Sequence, residues 1–570
     1  MIVKLNETAF EKHIAEYLSQ SPLYVQRSPK DFDIERLVDP SMFCDFLKAQ
    51  TDTWRRLVKN FGTEADALDA AINEYNRQLR RGGSYLKLLR EGFTLQGVGV
   101  KLLQFKPDMN LNDDNQRLYE ANRFAVVRQM HYSTAAADKQ NELDLCILVN
   151  GFPLITFELK NEGTGQNISH GMYQYCNDRD KTNKMLRTCL VHFAMDTNRV
   201  MMTTKLNGEE TYFLPFNKET ENPIVEGDYA TCYMWKEILQ ADSLLNIIQH
   251  FIKQYHDKPA APWKTIFPRY HQLRCVRNII SDLKDKGVGT NYLVQHSAGS
   301  GKTNSMAWLA HQLANLQNAD NTPVFDSVIM VTDRIVLDRN IADAIKAFET
   351  VSGTVKDIRH GSKNLAKALE EGGKIIVSTV QKFAFAQEHL SKLAGHHFAV
   401  IIDEAHSAMG NEAAKDIRVT LSTDDQLKSV VEDADPEIHN DVDRMYSEMQ
   451  AARRMMKHIS YFAFTATPKE RTFALFGTKD GNKTKAFDIY EMKQAIEEGF
   501  IKDVLLNYTT FQTMFELIGS VPETEREVYE KTGALRVAMQ YVNQNPYAIN
   551  YKADMILTYY MQNTLHRDCR

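Results

Sequence analysis

From Tyr292 onward the chain repeats short apolar runs without polar alternation, YLVQHS, SVIMVTD, KIIVSTV, FAVIIDEAH and SYFAFTATP, separated by helix-compatible stretches. Strands that are apolar on both faces and interleaved with helices imply a parallel sheet covered on both sides. No other feature constrains the fold as strongly, and the rhythm begins only after Pro268. What precedes it must therefore be built differently. At 570 residues, and roughly 100–200 residues per domain, three to four domains are expected.

The earlier part reads in three pieces. Residues 1–60 read as helical, with Phe10, Ile14 and Leu18 at helix spacing, Asn6 or Thr8 as caps and Pro22 as a stop. From about 85 to 215 short apolar runs take over. LDLCILVN and PLITFELK are separated by Asn150-Gly151, a hairpin signal. The stretch 217–262 reads as a linker around one helix, and the charged stretch 410–456 reads as an inserted helical arm.

Composition removes several alternatives. A count of 68 basic against 74 acidic residues, net −6, excludes a nucleic-acid binder defined by bulk charge, so any such function must rest on local patches. Seven cysteines without a CxxC pair fit a reduced, cytoplasmic protein and argue against a zinc ribbon or disulfide framework. The start MIVKLNETAF has no signal-peptide pattern and no run of 18 apolar residues occurs, so a soluble chain with no membrane association is expected.

QHSAGSGKTNSM (295–306) follows the strand YLV and opens a helical run, the context a phosphate loop requires. Gly299, Ser300 and Gly301 bring backbone N–H groups to phosphates, Lys302 reaches the β/γ oxygens and the Thr303 hydroxyl can hold Mg²⁺. His296 stands where the generic pattern has Gly or Ala. About 100 residues on, Asp403 ends the run FAVII and can hold Mg²⁺ through its hydration shell; Glu404 can orient the attacking water and His406 can couple to a neighbouring segment. Thr465 and Thr467 in FTATP would link nucleotide state to movement. The order GSGKT, DEAH, TATP is that of helicase-superfamily-2 motors, and Gln272 resembles their adenine-reading glutamine. Arg334, Thr379 and Gln381 stand where such motors touch the DNA backbone.

Upstream, Asp144 begins one hairpin strand, and Glu158 and Lys160 end the next, projecting from one face. Two carboxylates beside a lysine suit metal-assisted phosphodiester hydrolysis. Charged hairpin ends are common, so this D-x13-E-x-K set gains its weight from the motor downstream. Glu7 or Glu11 could complete a metal site. Gln174 with Tyr175 could brace that site or a DNA backbone, while His131, His170 and His192 read as structural.

Taken together the sequence resembles the restriction (motor) subunit of type I restriction–modification systems, over about residues 5 to 510. The pieces that carry the likeness are LVNGFPLITFELKN, CLVHFAMDTNRVMMTTKL, TYFLPFN, QHSAGSGKTNSMAWLAH, IIDEAHS, FAFTATPKERT and YEMKQAIEEGFIKDVLLNY. That family's loop commonly reads HSAGSGK, which accounts for His296. The resemblance implies an α/β chain: a PD-(D/E)xK endonuclease domain (1–220), a linker with a helix (221–262), a RecA-like motor domain (263–498, insertion 410–456) and an incomplete second RecA-like domain (499–570). It implies a type I site-specific deoxyribonuclease that binds ATP and Mg²⁺, translocates double-stranded DNA and cleaves it far from the recognition site. Its partners would be a modification methyltransferase subunit and a DNA-specificity subunit, with S-adenosylmethionine entering only through the methyltransferase complex. Asp144, Glu158 and Lys160 then become the nuclease set, and Lys302, Thr303, Asp403 and Glu404 the ATP site. Family members run to roughly twice this length and close the ATP site with arginines of a second motor domain, so the chain is expected to bind ATP but to hydrolyse it poorly and not to translocate. The alternatives are a non-catalytic remnant that binds DNA or a partner, and a stand-alone superfamily-2 DNA-dependent ATPase.

Overall fold

The computed structural model describes residues 7–107, 113–135, 141–256, 263–318, 320–332, 345, 354–357, 368, 372–379, 396–405, 458–481, 483–501, 549, 553 and 557. By backbone contacts the chain divides into Met1–Phe500 and Ile501–Arg570. In the second unit only Ile501 and the exposed helical positions Ile549, Ala553 and Leu557 are described. Arg334, Gln381, His406, the 410–456 stretch and nearly all of 502–570 lie outside the described residues. Thr379 enters only as the last residue of a strand.

The first helix, α1 (Glu7–Leu18), forms where the spacing of Phe10, Ile14 and Leu18 places it, and all three are fully buried. It covers a mixed seven-stranded sheet of β1 (Tyr24–Arg27), β2 (Phe124–His131), β3 (Glu142–Val149), β4 (Phe152–Leu159), β5 (Val191–Met195), β6 (Val200–Thr203) and β7 (Leu214–Pro215), in that spatial order. β1 runs parallel to β2, and β4 parallel to β5; the other neighbours are antiparallel. β4 is buried at every residue, as a central strand covered on both faces must be. The turn before it is the expected hairpin. Asn150 and Gly151 both have positive φ, 48° and 91°, the combination that matches strand twist in a two-residue turn. Gly151 is required twice over, since a Cβ there would lie 2.4 Å from the Asp39 carbonyl oxygen.

A second seven-stranded sheet comprises β8 (Tyr292–His296), β9 (Ser327–Thr332), β10 (Val355–Asp357), β11 (Ile375–Thr379), β12 (Phe398–Ile402), β13 (Ile459–Thr465) and β14 (Asp488–Tyr490). Its order is β10-β11-β9-β12-β13-β8-β14 and every pairing is parallel. The five apolar runs form its centre; the edge strands β10 and β14 are too short to stand out in the sequence. The fold is thus α/β with an all-parallel sheet in its second part, and among the described residues no helix is long and apolar enough to cross a membrane.

The 217–262 stretch is where the structure departs most from its reading as a linker. Helical turns at Met234–Ile238, Ala241–Asn246 and Ile247–Phe251 bury Tyr233, Trp235, Ile247 and Phe251 almost completely. At about 1.5–3 kcal/mol per large apolar side chain, such a segment is core, and its polar ends concealed this. Aromatic rings carry the core onward. Phe157 stacks on Phe193, which meets Phe216 and Phe267, and Phe216 meets Tyr270 at the start of α3 (Tyr270–Lys286).

Candidate functional sites

The open end of the β3–β4 hairpin gathers the residues read as the nuclease set. The Asp144 carboxylate accepts the Leu159 N–H at 2.6 Å, which ties the start of one strand to the end of the other. Lys160 Nζ donates to the Leu159 carbonyl at 2.8 Å and lies 3.7 Å from Asp144 and 3.6 Å from Glu7. Glu7 of α1 therefore reaches the cluster, and the Glu11 charge also acts on Asp144. Glu11, one turn on, is held by Arg128 and Gln129; Gln129 has a positive φ of 51°. Both glutamates share one helix face, so spacing could not separate them.

Glu158 is fully buried, and its Oε1 accepts Arg179 Nε at 2.7 Å. Its Oε2 and Glu7 Oε1 are buried without hydrogen-bond partners, as is Gln174 Oε1. Burial, then the neighbouring Asp144 charge, push the Glu158 carboxyl up to about 8 against the opposing pull of Arg179. Burial also raises Asp144 to about 6, with Lys160 opposing. A buried cluster of this kind disfavours its own negative charge unless a cation answers it.

Behind the acids the Tyr175 hydroxyl pairs with Thr156 at 2.8 Å, and Thr156 with His192 Nδ1 at 2.7 Å. Tyr175 thus braces β4 two residues before Glu158. His192 is a buried structural residue whose pKa burial lowers to about 4. The helix α2 (Ile168–Tyr173) is capped by Asn167 and Asp196 and passes into a π-helical turn, Gln174–Asp178, that delivers Arg179. Arg179 was not legible in the sequence, where it sits in the polar run CNDRD.

At the C-terminal end of β8 the phosphate-loop sequence leads into α4 (Lys302–Ala314). Gly299 and Gly301 have φ of 76° and 83°, and a Cβ on Gly301 would lie 2.5 Å from Gln272 Nε2. Gln272 donates to the Gly301 carbonyl at 3.1 Å and accepts the Arg269 N–H at 3.0 Å, so both ends of its amide grip the loop and the start of α3. Lys302 Nζ lies 3.4 Å from the His296 and Ser297 carbonyls and 3.6 Å from Glu404 Oε1. Thr303 follows at the first turn, partly exposed. The hydroxyls of Ser297, Ser300 and Ser305 are buried without partners. Asp403 and Glu404 follow β12, whose neighbour β13 adjoins β8; Glu404 adopts a left-handed φ of 48°. Glu404 therefore faces the loop.

His296, the departure from the generic loop pattern, is fully buried with Nε2 2.8 Å from Asp488 Oδ1, and Arg274 forks onto the same carboxylate at 2.9 and 3.0 Å. The sequence offered no sign of this pair, which spans almost 200 positions. On the other side of the loop His271 Nε2 meets the Ser300 carbonyl at 3.2 Å and its ring stacks on Tyr490 at 3.8 Å. Tyr490 and Arg269 both bind Glu498.

Two known families match parts of the chain. The family described as "Type I restriction enzyme R protein N terminus" matches residues 4–211, and that described as "SWI2/SNF2 ATPase" matches residues 271–532. The HindI type I restriction enzyme endonuclease subunit of Haemophilus influenzae is 22% identical over 523 residues, covering 85% of this chain and 44% of the relative. The SauCOLORF180P endonuclease subunit of Staphylococcus aureus strain COL is 22% identical over 411 residues, covering 68% and 36%. The chain spans less than half the length of these relatives. Among solved structures, a fragment described as an HsdR subunit from Vibrio vulnificus YJ016 is 14% identical with a TM-score of 0.27, covering 66% of this chain and 56% of that one. The UvsW helicase of bacteriophage T4 is 13% identical with a TM-score of 0.25, covering 42% and 64%. The chain thus resembles the type I restriction enzyme R protein N terminus over residues 4–211 and SWI2/SNF2 ATPases over residues 271–532, in that order.

Proposed function

We propose that this chain carries the nuclease and the first motor domain of the restriction subunit of a cytoplasmic type I restriction–modification complex, in which ATP-driven movement along double-stranded DNA is coupled to endonucleolytic cleavage. The modification methyltransferase and DNA-specificity subunits are its partners, and S-adenosylmethionine belongs to the methyltransferase. Residues 1–220 form the endonuclease domain, 263–498 the first motor domain and 499–570 the start of a second. One observation carries the nuclease reading: Glu7, Asp144, Glu158 and Lys160 converge from α1 and two strands, with buried oxygens of Glu7 and Glu158 left unpaired.

Those oxygens fit a divalent cation. Asp144 and Glu158 would hold Mg²⁺, with Glu7 beside them. When bound, the ion lowers the pKa of its water and neutralises charge on the scissile phosphate. Lys160, held between Glu7 and Asp144, orients the attacking water and steadies the developing negative charge. At the phosphate loop, the unpaired serine hydroxyls and the left-handed glycines fit a polyphosphate. Lys302 would exchange its own loop carbonyls for the β/γ oxygens, Thr303 and Asp403 would hold the nucleotide's Mg²⁺, and Glu404 would orient water. Gly299, Ser300 and Gly301 supply backbone N–H groups, while Gln272 keeps the loop in shape beside the base. Arg334, Thr379 and Gln381 are assigned to the DNA backbone.

The test is cleavage of supercoiled plasmid by this chain mixed with its methyltransferase and specificity partners. Cleavage should require both Mg²⁺ and ATP and vanish with Lys160→Ala. Cleavage that survives this substitution contradicts the nuclease assignment, and cleavage without ATP contradicts the coupling.

A further inference from the structure

Arg179 is nearly as buried as the carboxylate it serves, with side-chain exposures of 5% for Arg179 and 0% for Glu158. Its guanidinium is used at two points. Nε donates to Glu158 Oε1 at 2.7 Å, and Nη2 donates to the Glu142 carbonyl at 2.8 Å. Glu142 opens β3 two residues before Asp144, and Glu158 closes β4. Arg179 therefore spans the open end of the hairpin and links the backbone that carries one acid to the side chain of the other. The guanidinium is also set against the Tyr132 ring, 5.7 Å from its centroid, and leaves the π-helical turn in an extended conformation (φ −108°, ψ 126°). A guanidinium held at Nε and Nη2 cannot follow a carboxylate that rotates.

We propose that Arg179 is a positioning residue of the nuclease site: it occupies Glu158 Oε1, so that Glu158 presents Oε2 alone to the divalent cation, at a separation from Asp144 set by the clamp to Glu142. The inference rests on reading Asp144, Glu158 and Lys160 as the metal site. Glu158 Oε2 is buried without a hydrogen-bond partner, the state expected of an oxygen kept for another ligand. Residues that orient metal ligands through hydrogen bonds change metal affinity by roughly 10–100-fold when removed. The opposite role, a guanidinium that fills the cation's place and competes with it, predicts tighter metal binding once it is gone.

Mn²⁺ binding to the full chain without nucleotide, followed by electron paramagnetic resonance of the free ion, separates these outcomes, with ADP binding as the check on folding. Arg179→Met should weaken Mn²⁺ binding at least about tenfold and leave ADP binding unchanged. Arg179→Lys, which can reach Glu158 but cannot also hold the Glu142 carbonyl, should fall between it and the parent. Unchanged or tighter Mn²⁺ binding in an ADP-competent Arg179→Met protein overturns the proposal. If that variant fails the ADP check, parental Mn²⁺ affinity in Arg179→Lys overturns it instead, and a loss there supports it. Glu158→Gln keeps the two readings apart: if it too leaves Mn²⁺ affinity unaltered, the metal-site assignment itself fails, whatever Arg179 does.

Discussion

The hairpin end and the phosphate loop are opposite electrostatic problems solved in one chain. At the hairpin, carboxylates are buried beyond what Lys160 and Arg179 answer, so Glu158 and Asp144 are pushed to about 8 and 6. At the loop, Lys302 donates to the His296 and Ser297 carbonyls, and three buried serine hydroxyls have no partner. One place calls for a cation and the other for an anion. The contrast teaches that the sign of a ligand is readable from which buried groups a fold leaves unpaired, because an unpaired buried polar group costs about 1–3 kcal/mol and persists only where something else compensates.

The contrast can be broken at either end. The largest effect is expected from Lys160→Ala, which removes the ammonium beside the acids: cleavage by the reconstituted complex should vanish, a loss of at least about 10²–10³-fold, while nucleotide binding is untouched. At the loop, Asp488→Ala leaves His296 and Arg274 without their shared carboxylate. Breaking a buried pair costs roughly 3–5 kcal/mol, and with Arg274 about a quarter exposed the lower end is expected, visible as a lower melting temperature. Lys302→Ala should weaken ATP binding about 10–100-fold, the worth of a charge-assisted phosphate contact of about 1.5–3 kcal/mol. Mn²⁺ binding at the hairpin should not change.

A smaller effect sharpens the comparison through pH. His192 lies beneath the hairpin with its pKa lowered by burial from 6.5 to about 4. Between those values the unfolded chain binds a proton that the fold excludes. The stabilisation is complete above pH 6.5 and is lost as pH falls toward 4, on the order of 1–3 kcal/mol. Chemical denaturation at pH 7 and pH 4.5 should show this loss, and His192→Gln should reduce it.

What the sequence made legible was local. The helix spacing of Phe10, Ile14 and Leu18, the Asn-Gly turn and the glycine pattern before Lys302 are each decided within a few residues, so each could be read directly. The unread features depend on distance along the chain. Arg179 reaches Glu158 from 21 positions away and looks like one charge in a solvated run. His296 looks out of place until Asp488 and Arg274 surround it. Glu11 differs from Glu7 through Arg128 and Gln129, which reach it from a strand more than 100 positions away, and the buried helices after Tyr233 were concealed by polar flanks that resemble a linker.

The central claim is that one chain holds two independent sites of opposite demand. Mn²⁺ and ATP-analogue binding measured side by side on the parent, Glu158→Gln and Lys302→Ala test it most directly. Mn²⁺ binding without nucleotide should be lost only in Glu158→Gln, and analogue binding without metal only in Lys302→Ala. Loss of both ligands in a folded single variant, or of neither in both variants, would contradict it.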